Sequence, residues 1–365
     1  MSRKLLVAGA SGLVGSHAVR HFESLPGWEV TGVSRRVPPG LERSRIVSLD
    51  LMDRARCAAV LGSMRDVSHV IYAALYEKPG LIAGWRDPEQ MRTNLAMLEN
   101  FFEPLEAANP LEHVILLQGT KAYGSHLGPV PVPARERWPR HRHENFYWLQ
   151  EDYLRARQHG KDWRWTILRP QVIFGESWGS HMNPIPAIGV YGALLKDAGL
   201  PLAYPGGPSR VFEAVDADHL ARACAWAATS PNAGNEVFNI NNGEPFEWRT
   251  VWPAIADALG MAPGPEVPMS LVQEMPKREA DWARIVAKHG LQSPPRLADF
   301  VGQSFIYADR NFGYGLAAAP APTLVSTVKI RQAGFQDCVD TEEMFRRIFR
   351  RYQQLRWLPP RNQAT

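Results

Sequence analysis

Short apolar runs of strand length alternate with stretches of helical spacing along the first 175 residues. Arg3-Lys4-Leu5-Leu6-Val7-Ala8 is the first such run. Val14, Ala18, Val19, Phe22 and Leu25 then recur at helical spacing. Trp28 to Ser34, Arg45 to Leu51, His69 to Ala74, His113 to Gln118 and Trp163 to Leu168 read as five more strands. Helices are predicted over 53–64, over 88–108 with Pro88 near the start, and from Glu144 onward. Strands alternating with helices imply an α/β fold. Its sheet is doubly wound and parallel, with ligands at the carboxyl ends of the strands.

After Gly175 the alternation breaks. A loop is expected over 176–186, then helices over 187–197, 218–229 and 250–260, with strands at Phe212 to Val215 and Glu236 to Ile240. The proline-rich stretch 261–276 reads as a flexible crossing. Beyond it lie Trp282, Phe300, Phe305, Tyr307, Phe312 and Tyr314, expected mostly as core and partly as the apolar wall of a substrate site. The expected domains are a sheet domain over 1–175, to which 211–242 returns, and a smaller, mostly helical substrate-binding portion over 176–365.

Length and charge narrow the classes. A chain of 365 residues forms one large or two coupled domains. A net charge of +4 with scattered arginines argues against a nucleic-acid partner, and Arg346, Arg347, Arg350 and Arg351 read as a solvated helix face. No run approaches membrane-spanning length, so no membrane partner is expected. Cys57, Cys224 and Cys338 are odd in number, lack metal spacing, and are expected in or near the core of a protein in a reducing compartment. With no secretory signal pattern in the sequence, a cytoplasmic location is expected. His141 and His143, two apart in an Arg-rich loop, read as surface residues, and no metal site is expected.

The first candidate chemistry is the turn after the first strand. Gly9-Ala10-Ser11-Gly12-Leu13-Val14-Gly15 places three glycines between strand and helix. Glycines there permit a tight turn, close approach to a pyrophosphate and close helix packing, while the helix N-terminus meets the anion. This is the fingerprint of a Rossmann-type dinucleotide site. The second strand ends in Ser34, followed by Arg35 and Arg36, where an acid would favour a ribose 2′-hydroxyl. Two guanidiniums suit a 2′-phosphate instead, so NADP(H) is expected.

The second candidate lies in two stretches. One is Leu117-Gln118-Gly119-Thr120-Lys121-Ala122-Tyr123-Gly124, at the end of strand five. The other is Asn145-Phe146-Tyr147-Trp148-Leu149-Gln150-Glu151-Asp152, at a helix start. With the fingerprint, they make the chain resemble an extended short-chain dehydrogenase/reductase. That family usually carries Tyr-x-x-x-Lys, but Glu151 stands four after Tyr147, and its usual serine is Gly119, with Thr120 beside it. These departures, with Leu168-Arg169-Pro170-Gln171-Val172-Ile173-Phe174-Gly175, Val33-Ser34-Arg35-Arg36 and Phe238-Asn239-Ile240-Asn241-Asn242-Gly243, resemble the progesterone 5β-reductase/iridoid synthase-like subfamily. The strand-five motif is one residue shorter here and has Ala122 in place of a histidine.

The resemblance implies Tyr147 and Lys121 as catalytic residues and reduction of activated C=C bonds of enones with NADPH. The chemistry suits them: hydride addition at the β-carbon moves negative charge to the carbonyl oxygen, which a phenol and a nearby ammonium stabilise. The expected cofactor-binding set is Gly9, Ser11, Gly12, Leu13, Val14, Gly15, Ser34, Arg35, Arg36, Asp50, Leu51, Ala73, Gln118, Tyr147, Pro170, Val172 and Ile173. The expected partner is a small enone or related carbonyl compound, with steroid, terpenoid and small enone all open. Helices 88–108 and 144–158 suggest a homodimer. A carbonyl reductase or sugar epimerase/dehydratase, and a non-catalytic NADP(H)-sensing regulator, are the competing readings. The missing Tyr-x-x-x-Lys and serine weigh against the first, and the retained Tyr147 against the second.

Overall fold

In a computed structural model of the chain, residues 2–37, 40, 41, 43–78, 83–179 and 182–361 are described. Residues 180 and 181, in the loop expected over 176–186, lie outside them. The chain divides into two compact units. The first is Met1–Gln171, Ala217–Ile240 and Val325–Asp337; the second is Val172–Asp216, Asn241–Leu324 and Cys338–Thr365.

The first unit carries β1 (Arg3–Ala8), α1 (Leu13–Glu23), β2 (Trp28–Ser34), β3 (Ile46–Ser48), α2 (Arg54–Leu61), β4 (Val67–Tyr72), α3 (Pro88–Ala108), β5 (His113–Leu117), α4 (Phe146–Gln158) and β6 (Arg164–Pro170). The chain returns with α6 (Ala217–Thr229), β10 (Glu236–Ile240) and α12 (Val328–Gln332). Seven strands form one sheet in the order β10-β6-β5-β4-β1-β2-β3, every pair parallel. Strands buried on both faces explain the continuous apolar runs. Leu6 and Ala8 join Phe101, Phe102 and Leu105 of α3 in one core. By alternation, buried Leu5 and Val7 face the other side. Small residues Ala221 and Cys224 are fully or nearly fully buried in α6, which packs with α1.

His69, the third residue of β4, is a core histidine: Ser68 and the Ala228 carbonyl hold its two ring nitrogens at 2.8 and 3.2 Å. Cys57 and Cys224 are buried, and burial pushes their thiols up to about 11 and about 12. The expectation that all three cysteines lie in or near the core fails at Cys338, which is exposed.

The second unit carries β7 (Val172–Phe174), α5 (Ile185–Asp197), β8 (Leu202–Tyr204), β9 (Val211–Asp216), β11 (Pro245–Glu247), α7 (Trp248–Leu259) and β12 (Pro263–Glu266). It continues with α8 (Leu271–Glu274), α9 (Glu279–His289), α10 (Leu297–Val301), α11 (Ser304–Phe312) and α13 (Thr341–Gln354). β9 pairs parallel with β7 and antiparallel with β11. The expected flexible crossing is partly ordered: β12 pairs with β8, and α8 follows. Its core is aromatic, with Trp248 ringed by Phe174, Phe246, Phe312 and Phe345. No described helix is long and apolar enough to cross a membrane.

Candidate active site

The strand order reverses between β1 and β4, and there the fingerprint sits. Gly9 has φ +80°, and a Cβ on it would fall 2.7 Å from the carbonyl of Ala73, just past β4. A Cβ on Gly15 would meet the Gly9 oxygen at 2.2 Å, so α1 packs directly on the turn. Only glycine fits either position. The Gly12 N–H donates to the Gly9 carbonyl at 2.9 Å, and α1 starts at Leu13 with no side-chain cap on its amides. Ser11, Gly12, Leu13, Val14 and Gly15 thus carry the turn from Gly9, beside Ala73, into the start of α1 at a topological switch point, a backbone shape of the kind that fits a dinucleotide pyrophosphate.

At the end of β2 the Ser34 hydroxyl donates to the Arg36 carbonyl at 2.8 Å, and the Ser48 hydroxyl to the Arg35 carbonyl at 3.3 Å. Both arginine side chains are exposed. Asp50 and buried Leu51 follow β3, where the Asp50 carboxylate accepts the Met52 N–H at 3.0 Å.

Tyr147 is in the first turn of α4. Asn145 caps that helix, accepting the Tyr147 N–H at 3.0 Å and donating to the Lys121 carbonyl at 3.1 Å. One side chain thus ties the helix start to the turn after β5. Gly119 is in extended backbone, φ −176°. A Cβ there would stand 3.4 Å from the Tyr147 hydroxyl oxygen and 3.5 Å from the Pro170 carbonyl oxygen. The phenol therefore lies along the backbone at the carboxyl ends of β5 and β6. Lys121 Nζ sits over the ring of Trp85, 3.6 Å from its centroid. The same indole meets Tyr147 edge-on at 5.3 Å and Phe146 at 4.8 Å. Trp85 is buried, and its Nε1 donates to Glu77 Oε1 at 2.9 Å. Lys121 and Tyr147, from two elements, meet through this one side chain.

Glu151 stands where the usual lysine would be. It is buried and accepts hydrogen bonds from Gln118 Nε2 and Arg155 Nε, both at 3.0 Å. Arg140 is 3.0 Å away and Arg169 3.4 Å. Burial pushes the Glu151 carboxyl up, but the Arg169 charge and the bonds from Arg140 and Gln118 outweigh it and hold the pKa below the ordinary value. Gln118 also donates to the Tyr147 carbonyl at 3.2 Å and accepts from Arg169 Nε at 2.8 Å. Arg169 Nη1 donates to the Tyr123 hydroxyl, which donates to Asn239 Oδ1 at 2.7 Å. A buried polar chain thus runs from α4 through β5 and β6 to β10. Gln118 lies in this chain, and the Thr120 hydroxyl donates to Gln171 at 3.3 Å.

Sequence reasoning missed Trp85 and the Glu151–Arg169 pair. A lone tryptophan two residues before the Asp87-Pro88 helix start was the available signal for the first. Val172 and Ile173 lie in β7 of the second unit, paired with Ala214 and Val215. His141 is exposed and His143 partly so, with their Nδ1 atoms 2.9 Å apart.

The model of the NAD dependent epimerase/dehydratase family matches residues 5–241. The (S)-8-oxocitronellyl enol synthase of Antirrhinum majus is 31% identical, covering 97% of this chain and 92% of that protein. The 3-oxo-Delta(4,5)-steroid 5-beta-reductase of Arabidopsis thaliana is 33% identical over 79% of this chain and 78% of its own. Among solved structures, UDP-glucose 4-epimerase from Thermotoga maritima superposes with a TM-score of 0.66 at 18% identity, covering 96% of this chain and 99% of that one. The last likeness shows the shared fold. The chain belongs to the NAD-dependent epimerase/dehydratase family and is an oxidoreductase of the extended short-chain dehydrogenase/reductases, in the branch of progesterone 5β-reductase and iridoid synthase.

Proposed function

We propose that this protein uses NADPH to reduce activated C=C bonds of α,β-unsaturated carbonyl compounds. The observation that carries the reading is the meeting of Lys121 and Tyr147 on Trp85, with the Tyr147 hydroxyl beside a residue that has no side chain. When bound, the reduced nicotinamide supplies the hydride. The Tyr147 hydroxyl donates a hydrogen bond to the substrate carbonyl oxygen as negative charge develops there. Lys121, held on the indole face, adds positive potential to the same region. Gly119 leaves one flank of the phenol open for that oxygen. Glu151, bound to arginines, serves the scaffold instead of the proton chemistry. Relatives named as a steroid 5-beta-reductase and enol synthases support this choice over carbonyl reduction.

The backbone of Gly9 to Gly15, with Ser34, Asp50, Leu51, Ala73, Gln118 and Pro170, would hold the cofactor, and Arg35 and Arg36 its 2′-phosphate. The test is NADPH oxidation, followed by absorbance, with a small cyclic enone and with the matching saturated ketone. Oxidation with the enone alone is expected; oxidation with the ketone alone, or with neither, would reject the reading. We also propose a homodimer through α3 and α4, which a monomer mass in light scattering would reject.

A further inference from the structure

Asn145, which ties α4 to the turn after β5, uses its whole side chain. Its Oδ1 accepts the Tyr147 N–H at 3.0 Å, and its Nδ2 donates to the Lys121 carbonyl at 3.1 Å. Those two bonds fix which end of the amide is which. The second Nδ2 proton goes to His143 Nε2, 3.0 Å away. Nε2 therefore accepts, and the network assigns the His143 proton to Nδ1. There it faces His141 Nδ1 at 2.9 Å and the His141 carbonyl at 3.2 Å. The His141 ring packs on the same turn: a Cβ on Gly124, φ +81°, would come within 2.9 Å of its Cδ2. One hydrogen-bonded row thus runs from exposed His141 through His143 to buried Asn145.

The row holds only while both rings are neutral. A proton on His143 Nε2 sets one donor against another, and the new donor competes with Asn145 for the Lys121 carbonyl. A proton on His141 Nδ1 opposes the His143 Nδ1 proton in the same way. The charges around His143 do not favour an imidazolium. The turn after β5 brings Lys121 and the His126 ring, whose centroid is 5.2 Å away. From α4 comes the Trp148 ring at 6.3 Å, with the Arg140 guanidinium over that indole. The carboxylates on α4, Glu151 and Asp152, are bound to Arg140. Burial, and then the His141 charge, hold the His143 pKa below its ordinary value against the pull of the His141 and Lys121 carbonyls.

We infer that His143 is a positioning residue for the reduction proposed above. As a neutral acceptor it holds Asn145, and through Asn145 it keeps the start of the Tyr147 helix against the Lys121 turn. The inference rests on that reading of the reaction.

The test is steady-state NADPH oxidation with a cyclic enone by the full chain, over roughly pH 5 to 8. His143→Ala should lower kcat about tenfold or more throughout while the KM for NADPH holds, the mark of a displaced catalytic group. His143→Gln offers Asn145 a carbonyl oxygen that does not titrate. It should restore most of that loss and remove the acid limb that wild type shows below pH 6.5. If the alanine variant does not fold, the glutamine variant still decides, together with the His143 ring-nitrogen shifts in NMR spectra of the wild type. Those shifts read the tautomer without any turnover, so they separate a wrong positioning role from a wrong reaction. A wild type that reduces no enone rejects the reaction, while an Nδ1–H tautomer in that chain still upholds the His143–Asn145 link. An Nε2–H tautomer, wild-type kcat in His143→Ala, or an unaltered acid limb in His143→Gln overturns the inference.

Discussion

The Tyr147 hydroxyl oxygen stands 3.4 Å from the place where a Cβ on Gly119 would be. That distance is an ordinary van der Waals contact, and Gly119 has extended backbone that any residue adopts. Gly119→Ala should therefore fold as well as wild type, or gain about 0.4–1 kcal/mol through its less flexible unfolded chain. Its methyl would crowd the open flank of the phenol and displace a substrate oxygen. Enone turnover should fall roughly 10²-fold, the scale of a misplacement of about 1 Å. Thermal unfolding and steady-state kinetics separate the two effects, and full turnover would show that substrate does not use that flank.

Tyr147→Phe keeps the ring against Trp85 and removes only the hydroxyl. A lost oxyanion donor costs about 2.7–4 kcal/mol, or roughly 10²–10³ in kcat, with NADPH binding intact. Lys121→Met removes the charge from the Trp85 face and should also slow turnover. Wild-type rates in both variants would remove this pair from the chemistry.

Glu151 is a structural anion in this fold. Glu151→Ala leaves Arg169 buried without its partner, which should cost about 3–5 kcal/mol of stability. Because the folded carboxyl sits below its usual value, its contribution is present above the unfolded value and lost as pH falls through the folded one. Glu151→Gln should therefore flatten the acid limb of denaturant unfolding followed against pH. An acid limb identical to wild type would show that the carboxylate contributes nothing there.

Arg35→Ala with Arg36→Ala tests the cofactor. Each lost charge-assisted bond to a 2′-phosphate should cost about 1.5–3 kcal/mol in NADPH binding, with NADH affected far less. Equal losses for both cofactors in a fluorescence titration would end the assignment of these residues to the phosphate.

His113 titrates against folding. Its Nε2 is 2.8 Å from the Thr166 hydroxyl, which donates to the Ala233 carbonyl, so Nε2 is the donating nitrogen. Burial first, then His69 and Arg164, push its pKa from 6.5 down to about 3. The unfolded chain takes up the proton first, so stability should fall as pH drops from 6.5 toward 3. His113→Phe should reduce that slope in chemical denaturation; an unaltered slope would assign the loss to other groups.

The elements that the sequence revealed best are those fixed by local pattern. β2 and α3 follow from uninterrupted apolar spacing, and α3 from Pro88 at its start. β12 was hidden because its prolines remove donors and its partner β8 lies some sixty residues earlier. Tyr147 and Lys121 were singled out through their motifs, and folding brings both onto Trp85. Trp85 was not, since what matters about it is its contact with residues far along the chain. Glu151 showed only as a missing lysine; its ring of arginines exists only after folding.

β10, the outer strand beside β6, comes from residues 236–240, after the chain has left the first unit at Gln171. During synthesis, the first 171 residues emerge with β6 as a bare edge and α1 without α6. Such an edge recruits other chains. The sheet completes only once Ile240 has cleared the ribosome, so fragments ending between the two points should be aggregation-prone, and a nascent chain stalled there should be a target for chaperones.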